Sequence, residues 1–269
     1  MTAGAVDGAQ VVARACRLLG LVGERGTSGR GIADLVAASG LKRPTVHRLL
    51  SALQAAGFVE QDDVNRLWRL GPEIHMLGTL ASPHYSIEAL ARDCLERIAA
   101  ETGDSAFLSV RRGGEAVCLI REEGAFPIRT HVLQAGDRLP LGVGSAGIAM
   151  LACLPDEQAS AMISASQDNM VRGQPAAAPG IIRDLVAQAR RAGYAVNRGM
   201  LLPGSWGIAV AILDKAGLPT AALSVTAIEQ RLQPERQVKI GALLKAEADR
   251  LRRRLLANQL EPDTQRIAS

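Results

Sequence analysis

Apolar residues recur at two different periods along this chain, and the changes of period mark out its elements. From Val11 to Leu21 the spacing is three and four, which predicts a helix with Val11, Ala15, Leu18 and Leu19 on its apolar side. Ile32, Leu35 and Val36 repeat the spacing until Ser39-Gly40, where glycine can take the left-handed conformation that ends helices. A third helix is predicted from near Arg43, with Pro44 in the first turn, where a missing N–H loses no intrahelical bond. Its stripe is Val46, Leu49, Leu50 and Leu53, and Gly57 ends it. Phe58-Val59 and Leu67-Trp68-Arg69-Leu70 then read as two strands around a polar turn.

After Gly71 the pattern predicts a helix over Glu73–Leu80, a break at Ala81-Ser82-Pro83, and a longer helix over Ile87–Thr102 that Gly103 stops. Ile87, Leu90, Ala91, Leu95 and Ile98 form its inward stripe. Phe107–Val110 and Ala116–Ile120 are strands of a hairpin turned by Gly113-Gly114. Ile128–Leu133 reads as another strand, and Gly147–Cys153 and Gly180–Ala192 as helices. Ile208–Leu213 and Ala221–Val225 form a second hairpin before a long helix over Glu235–Leu256. Hairpins and helices in this order predict an α+β chain whose second part is an antiparallel sheet with flanking helices, not a doubly wound parallel sheet. The expected domains are 9–71, a helical linker over 72–86, a larger domain over 87–257 and a disordered tail over 258–269.

The face of the third helix opposite its stripe carries Lys42, Arg43, Thr45, His47, Arg48 and Ser51. A cationic, hydroxyl-bearing second helix of a helix-turn-helix, followed by a wing, suits a duplex major groove. Arg43 and Arg48 are candidates for a bidentate guanine contact, Thr45 for phosphate or a thymine methyl, and Pro44 sharpens the helix start. Arg66 and Arg69 on the wing are candidates for minor-groove or backbone contact, with the alternative that one of them only solvates the hairpin. Arg14 and Arg17 can reach phosphates, and Arg14 equally an acid of its own domain. Charge supports this placement. The net charge of the 269 residues is +4, and up to Gly71 nine basic residues face six acids. Aromatic residues make up 3%, too few for a platform that stacks single-stranded bases.

Other chemistry is thin. Cys16, Cys94, Cys118 and Cys153 are far apart, without a CxxC pair, and His47, His75, His84 and His131 are scattered, so no metal or cofactor is expected. No apolar run has membrane-spanning length and no signal peptide opens the chain, which predicts a reduced, cytoplasmic setting. Gly142-Val143-Gly144-Ser145-Ala146-Gly147 spells G-x-G-x-x-G, but Pro140 just before it argues against the central strand a dinucleotide fingerprint follows. Val143 also denies it the first glycine of a G-x-S-x-G nucleophile elbow. An enzyme is therefore not expected, nor an architectural DNA-binding protein without a ligand. A loop of small residues feeding a helix still offers N–H groups and a positive local field to a carboxylate.

GLKRPTVHRLLSALQAAGFVEQDD and RLWRLGPEIHMLG, followed in order by GDRLPLGVGSAGIAMLA, RRAGYAVN and GIAVAILDKAGLPTAALSVT, resemble the IclR family of bacterial transcription regulators over about Gln10 to Arg253. The resemblance implies a winged helix-turn-helix on operator DNA, a GAF-like effector domain, a homodimer or homotetramer, and repression or activation of a catabolic operon under control of an organic acid. It places the effector site at Leu139, Ser145, Ala146, Met200, Gly207, Ser224 and Thr226. The alternative for Ser224 and Thr226 is that they are ordinary strand residues facing a core. Gly199 and Met200 stand where the family usually has a Glu pair, Gly207 where it often has Cys, and Ala211 where Pro is common. Fewer polar contacts and more space imply a larger or less polar effector than a small keto acid, such as an aromatic or branched acid.

Overall fold

Gly40, at φ 69°, closes the second helix where the break in the apolar period requires it. The computed structural model describes residues 9–24, 26–81, 87–128, 132–169 and 178–258. The chain forms two compact units, Met1–Tyr85 and Ser86–Ser269. Among the described residues no helix is long and apolar enough to cross a membrane.

The first unit contains α1 (Gln10–Gly23), α2 (Ile32–Ser39), α3 (Arg43–Ala55), the strands β1 (Val59–Gln61) and β2 (Trp68–Leu70), and α4 (Pro72–Ala81). Its core joins Leu18, Leu21 and Val22 of α1 to Leu35 of α2, Val46, Leu49 and Leu50 of α3, and Val59 and Trp68 of the hairpin. Burying a side chain of this size contributes about 1.5–3 kcal/mol. Val11, expected on the apolar side of α1, is 60% exposed, because the helix meets the core only from its second turn. Trp68 pairs with Arg30 through both backbone groups, each at 2.9 Å, so a third extended segment flanks the wing. The helix predicted between the domains is α4, which belongs to this unit; residues 82–86 lie outside the described residues.

The second unit holds α5 (Ile87–Thr102), β3 (Ser105–Arg112), β4 (Glu115–Glu122), β5 (Arg138–Pro140), α6 (Ser145–Ala152), α7 (Asp156–Asn169), α8 (Pro179–Ala192), β6 (Ala195–Arg198), β7 (Ser205–Leu213), β8 (Pro219–Ile228) and α9 (Pro234–Asn258). The sheet order is β5-β4-β3-β8-β7-β6, and every neighbouring pair is antiparallel. Period-two alternation divides its residues. Leu108, Val110, Ile208, Val210, Leu223 and Val225 face α5 and α9. Ala116, Ala209 and Ala222 face α6, α7 and α8, and their small side chains let that layer approach closely. Asp104, 2% exposed as a side chain, lies between Arg231 (2.8 Å) and Arg236 (2.7 Å) and ties the start of α9 to β3.

The strand expected over Ile128–Leu133 falls partly outside the described residues. Ile128, Val132 and Leu133 lie outside any strand, and residues 129–131 are outside the described residues. Cys118 of β4 already bonds Gly136 (2.8 Å) and Asp137 (2.9 Å), so the edge position beyond β4 is taken by β5 instead. Pro140 sits in this edge strand, where a residue without an N–H is tolerated. Of the predicted tail, residues 259–269 are outside the described residues.

Candidate functional site

On α3, burial of Val46, Leu49 and Leu50 turns Arg43, Pro44, His47, Arg48 and Ser51 outward along one face. Lys42 precedes the helix in an extended conformation, and its carbonyl accepts the N–H groups of Thr45 (2.9 Å) and Val46 (3.1 Å). Thr45 is half-buried and the others are exposed. Among the described residues, none of Lys42, Arg43 or Arg48 joins an ion pair. Arg17 donates to the carbonyl of Ala38 at 3.1 Å, at the end of α2, and Arg14 donates to Gln10 at 3.3 Å.

The wing turns on Asp62. Its carboxylate accepts the N–H groups of Val64 (2.9 Å) and Asn65 (3.1 Å) and the Arg69 guanidinium (2.6 Å). The Asn65 N–H, then Arg69, then the Val64 N–H hold its pKa below the ordinary value. Arg69, a candidate contact on sequence grounds, is thus engaged inside the wing. Arg66 is exposed beside it, with φ 59°.

In the second unit, Ser145 opens α6 with no side-chain cap from Gly144 and no acid in the first turn. The first-turn N–H groups of Ser145, Ala146 and Gly147 therefore have no intrahelical acceptor. Gly142, at φ 103°, bends the loop into α6, and a Cβ there would stand 2.9 Å from Ile182. Close packing of loop and helix accounts for the glycine spacing without a nucleotide. Beneath α6 lies a cavity of about 30 Å³, lined by strand residues Ser109, Ala116, Cys118, Asn197, Ser205, Gly207, Ser224 and Thr226. Val132, Leu133, Leu139 and Leu201 add aliphatic walls, and Asp137 stands at its exposed side.

The cavity brings together Leu139, Ser145, Ala146, Gly207, Ser224 and Thr226 of the sequence candidates. Met200 is not among them. After the turn at Gly199 (φ 80°) both Met200 and Leu201 pack against the helical layer, and Leu201 is the one that lines the cavity. Gly207 does not leave the space expected of it either. A Cβ there would be 2.7 Å from Ser145 Oγ, so the serine hydroxyl fills the gap. Sequence reasoning missed Ser109, Asn197 and Ser205, which the sheet register, not the period within any one strand, brings to the face of Ser224 and Thr226. Asn197 is satisfied, donating to Val143 O (2.5 Å) and accepting the Met200 N–H (2.9 Å). Burial, reinforced by the Asp137 charge, pushes the Cys118 thiol up to about 12, so it stays protonated at neutral pH. His84 and His131 lie outside the described residues, and the remainder contain no cluster of three metal-ligating groups.

Comparison with known proteins identifies both units. Residues 11–63 match the family model of the IclR helix-turn-helix domain, and residues 80–253 that of the bacterial transcriptional regulator IclR C-terminal region. The HTH-type transcriptional repressor AllR of Escherichia coli K12 is 30% identical over 244 residues, spanning 90% of this chain and 88% of that one. An ICLR transcriptional regulator from Silicibacter sp. TM1040 superposes with a TM-score of 0.78 at 28% identity, covering 91% of this chain and 95% of the other. An IclR homologue from Microbacterium hydrocarbonoxydans, solved with 4-hydroxybenzoate, gives 0.73 at 25% identity over 92% and 99%.

Proposed function

The chain belongs to the IclR family of bacterial transcriptional regulators, which are DNA-binding regulators and not enzymes, and from that premise we propose how it reads DNA and what it senses. Lys42, Arg43, Pro44, Thr45, His47, Arg48 and Arg66 face operator DNA, with Arg69 shaping the wing. The observation that carries this reading is the row of exposed cations on α3, without partners among the described residues. The effector is an organic acid. Its carboxylate meets the N–H groups that open α6 and the Ser145 hydroxyl beside them, and Leu139, Leu201 and the hydroxyls of Ser224 and Thr226 enclose the rest. The four aliphatic walls favour an aromatic or branched acid, and the relative bound to 4-hydroxybenzoate lends support.

Val11 and Val12 on α1 and Met76, Leu77 and Leu80 on α4 are exposed apolar side chains in the first unit. They support a homodimer or homotetramer in which α4 is the lever between effector and heads. An acid that prefers one arrangement of the heads shifts the population toward it. The regulator acts in the cytoplasm, on a catabolic operon.

A mobility-shift titration with DNA upstream of its own gene, with and without benzoate, 4-hydroxybenzoate or pyruvate, tests this. The expected result is a salt-sensitive complex that an aromatic acid alters. No complex even at about 50 mM salt overturns the DNA reading, and tight binding of pyruvate alone overturns the effector class.

A further inference from the structure

Ser205 begins β7 on the face that lines the cavity. It is 6% exposed, and its Oγ is buried without a hydrogen-bond partner. Among the described residues it is the one side-chain oxygen in that state, the others being nitrogens of Arg and Trp. A buried hydroxyl without a partner is unfavourable and rare. Nothing in the fold requires it, since Ser205 already makes its backbone bond to Leu202.

We infer that Ser205 is a specificity-determining residue of the effector pocket, reading a neutral hydroxyl that the acid carries far from its carboxylate. The inference rests on the effector reading above. Ser145 Oγ marks the carboxylate end, because it lies against Gly207 of the same strand. Ser205 is two residues from Gly207, about 6.6 Å along β7. An α-keto or α-hydroxy acid carries its second oxygen on the carbon beside the carboxylate and falls well short. A hydroxyl across a ring, or at the end of a short chain, spans the interval. The groups present also select against a second carboxylate. No basic side chain lines the cavity, its available polar groups are neutral hydroxyls, and the one ionised neighbour is Asp137. The effector class is a monocarboxylate with a distal hydroxyl.

Calorimetry of the full-length protein and its Ser205→Ala variant with two pairs of probes tests this: benzoate against 4-hydroxybenzoate, and butanoate against 4-hydroxybutanoate. The wild type binds at least one hydroxylated acid roughly tenfold or more tighter than its partner. Ser205→Ala removes that preference and leaves affinity for the plain acid unchanged. Without ligand its melting temperature equals or exceeds that of the wild type, because an unsatisfied polar group has been deleted. Equal affinity within both pairs in the wild type overturns the role of Ser205 while the carboxylate site stands. A lower melting temperature for the unliganded variant also overturns it, by showing a structural role. No binding of any of the four acids overturns the carboxylate site and this inference with it.

Discussion

At the start and along the outer face of α3, Lys42, Arg43 and Arg48 stand in solvent outside any ion pair among the described residues, whereas the cavity beneath α6 is lined by five hydroxyls and no basic side chain. On the reading proposed above both surfaces serve anions, yet they recognise them by different physics. Exposed charge attracts a polyanion from a distance, acts on any sequence, and weakens as salt screens it. Oriented N–H groups and hydroxyls in a partly enclosed cavity act only in contact, are less screened, and discriminate by leaving a group unpaired when the ligand is wrong. A head that must find one site among many and a sensor that must reject similar metabolites have different requirements, and the two units divide them.

The largest effect that separates these plans is expected at Arg48. If it reads guanine, a contact of this kind is worth about 1–3 kcal/mol, so Arg48→Ala weakens operator binding roughly 5- to 150-fold. Fluorescence anisotropy against operator and scrambled duplexes measures the loss, which falls mainly on the operator. Lys42→Ala instead weakens both duplexes alike and lowers the salt slope by about 1. Calorimetry with the acid stays unchanged for both variants. Loss of acid affinity in either would break the division of labour.

Next in size is the loop over the cavity. Gly142→Ala forces a side chain into a left-handed backbone and toward Ile182, costing about 1–3 kcal/mol. Scanning calorimetry should show a lower melting temperature for the second unit, and the displaced loop should lose affinity for the acid. Operator binding without acid should persist. Gly180→Ala is the control: its Cβ meets nothing within 4 Å, and the variant should be neutral or slightly more stable. Equal losses at both positions would mean that the loop geometry is not what holds the pocket.

Legibility in the sequence also divided along these lines. The α5 boundaries, Ile87–Thr102, follow from the helical period and Gly103, and α3 from its stripe and Pro44. Both signals are local. β5 and β6 span three and four residues, too short for a period of two to show, and the α7 sequence DEQASAMISASQDN has no clear apolar stripe. The apolar run Ile128–Leu133 looked like a strand because nothing nearby reveals that Gly136 and Asp137 occupy the edge of β4 at Cys118. Within the pocket, Ser145, Ser224 and Thr226 were legible through the family resemblance. The choice of Leu201 over Met200 depends on the backbone turn at Gly199, and Ser205 becomes visible only once the sheet register is known. Charge on an exposed helix can be read residue by residue, whereas a cavity is a property of elements brought together from across the chain.

The smallest expected effect lies in the wing, where charge serves the fold instead of the ligand. Asp62 is held below the ordinary aspartate pKa first by the Asn65 N–H, then by Arg69, then by the Val64 N–H. With a depressed pKa the folded head binds fewer protons than the unfolded chain as acid is added. Its contribution is therefore complete above the unfolded value, about 3.9, and is lost as pH falls through the folded value. Asp62→Asn keeps an oxygen for the two backbone N–H groups and removes only the charge that pairs with Arg69. The variant should melt slightly below the wild type at pH 7, and the gap should close as the pH is lowered toward 3. Thermal melts of the full-length protein at the two pH values measure this. A gap of the same size at both would mean that the charge pair with Arg69 contributes nothing to holding the wing.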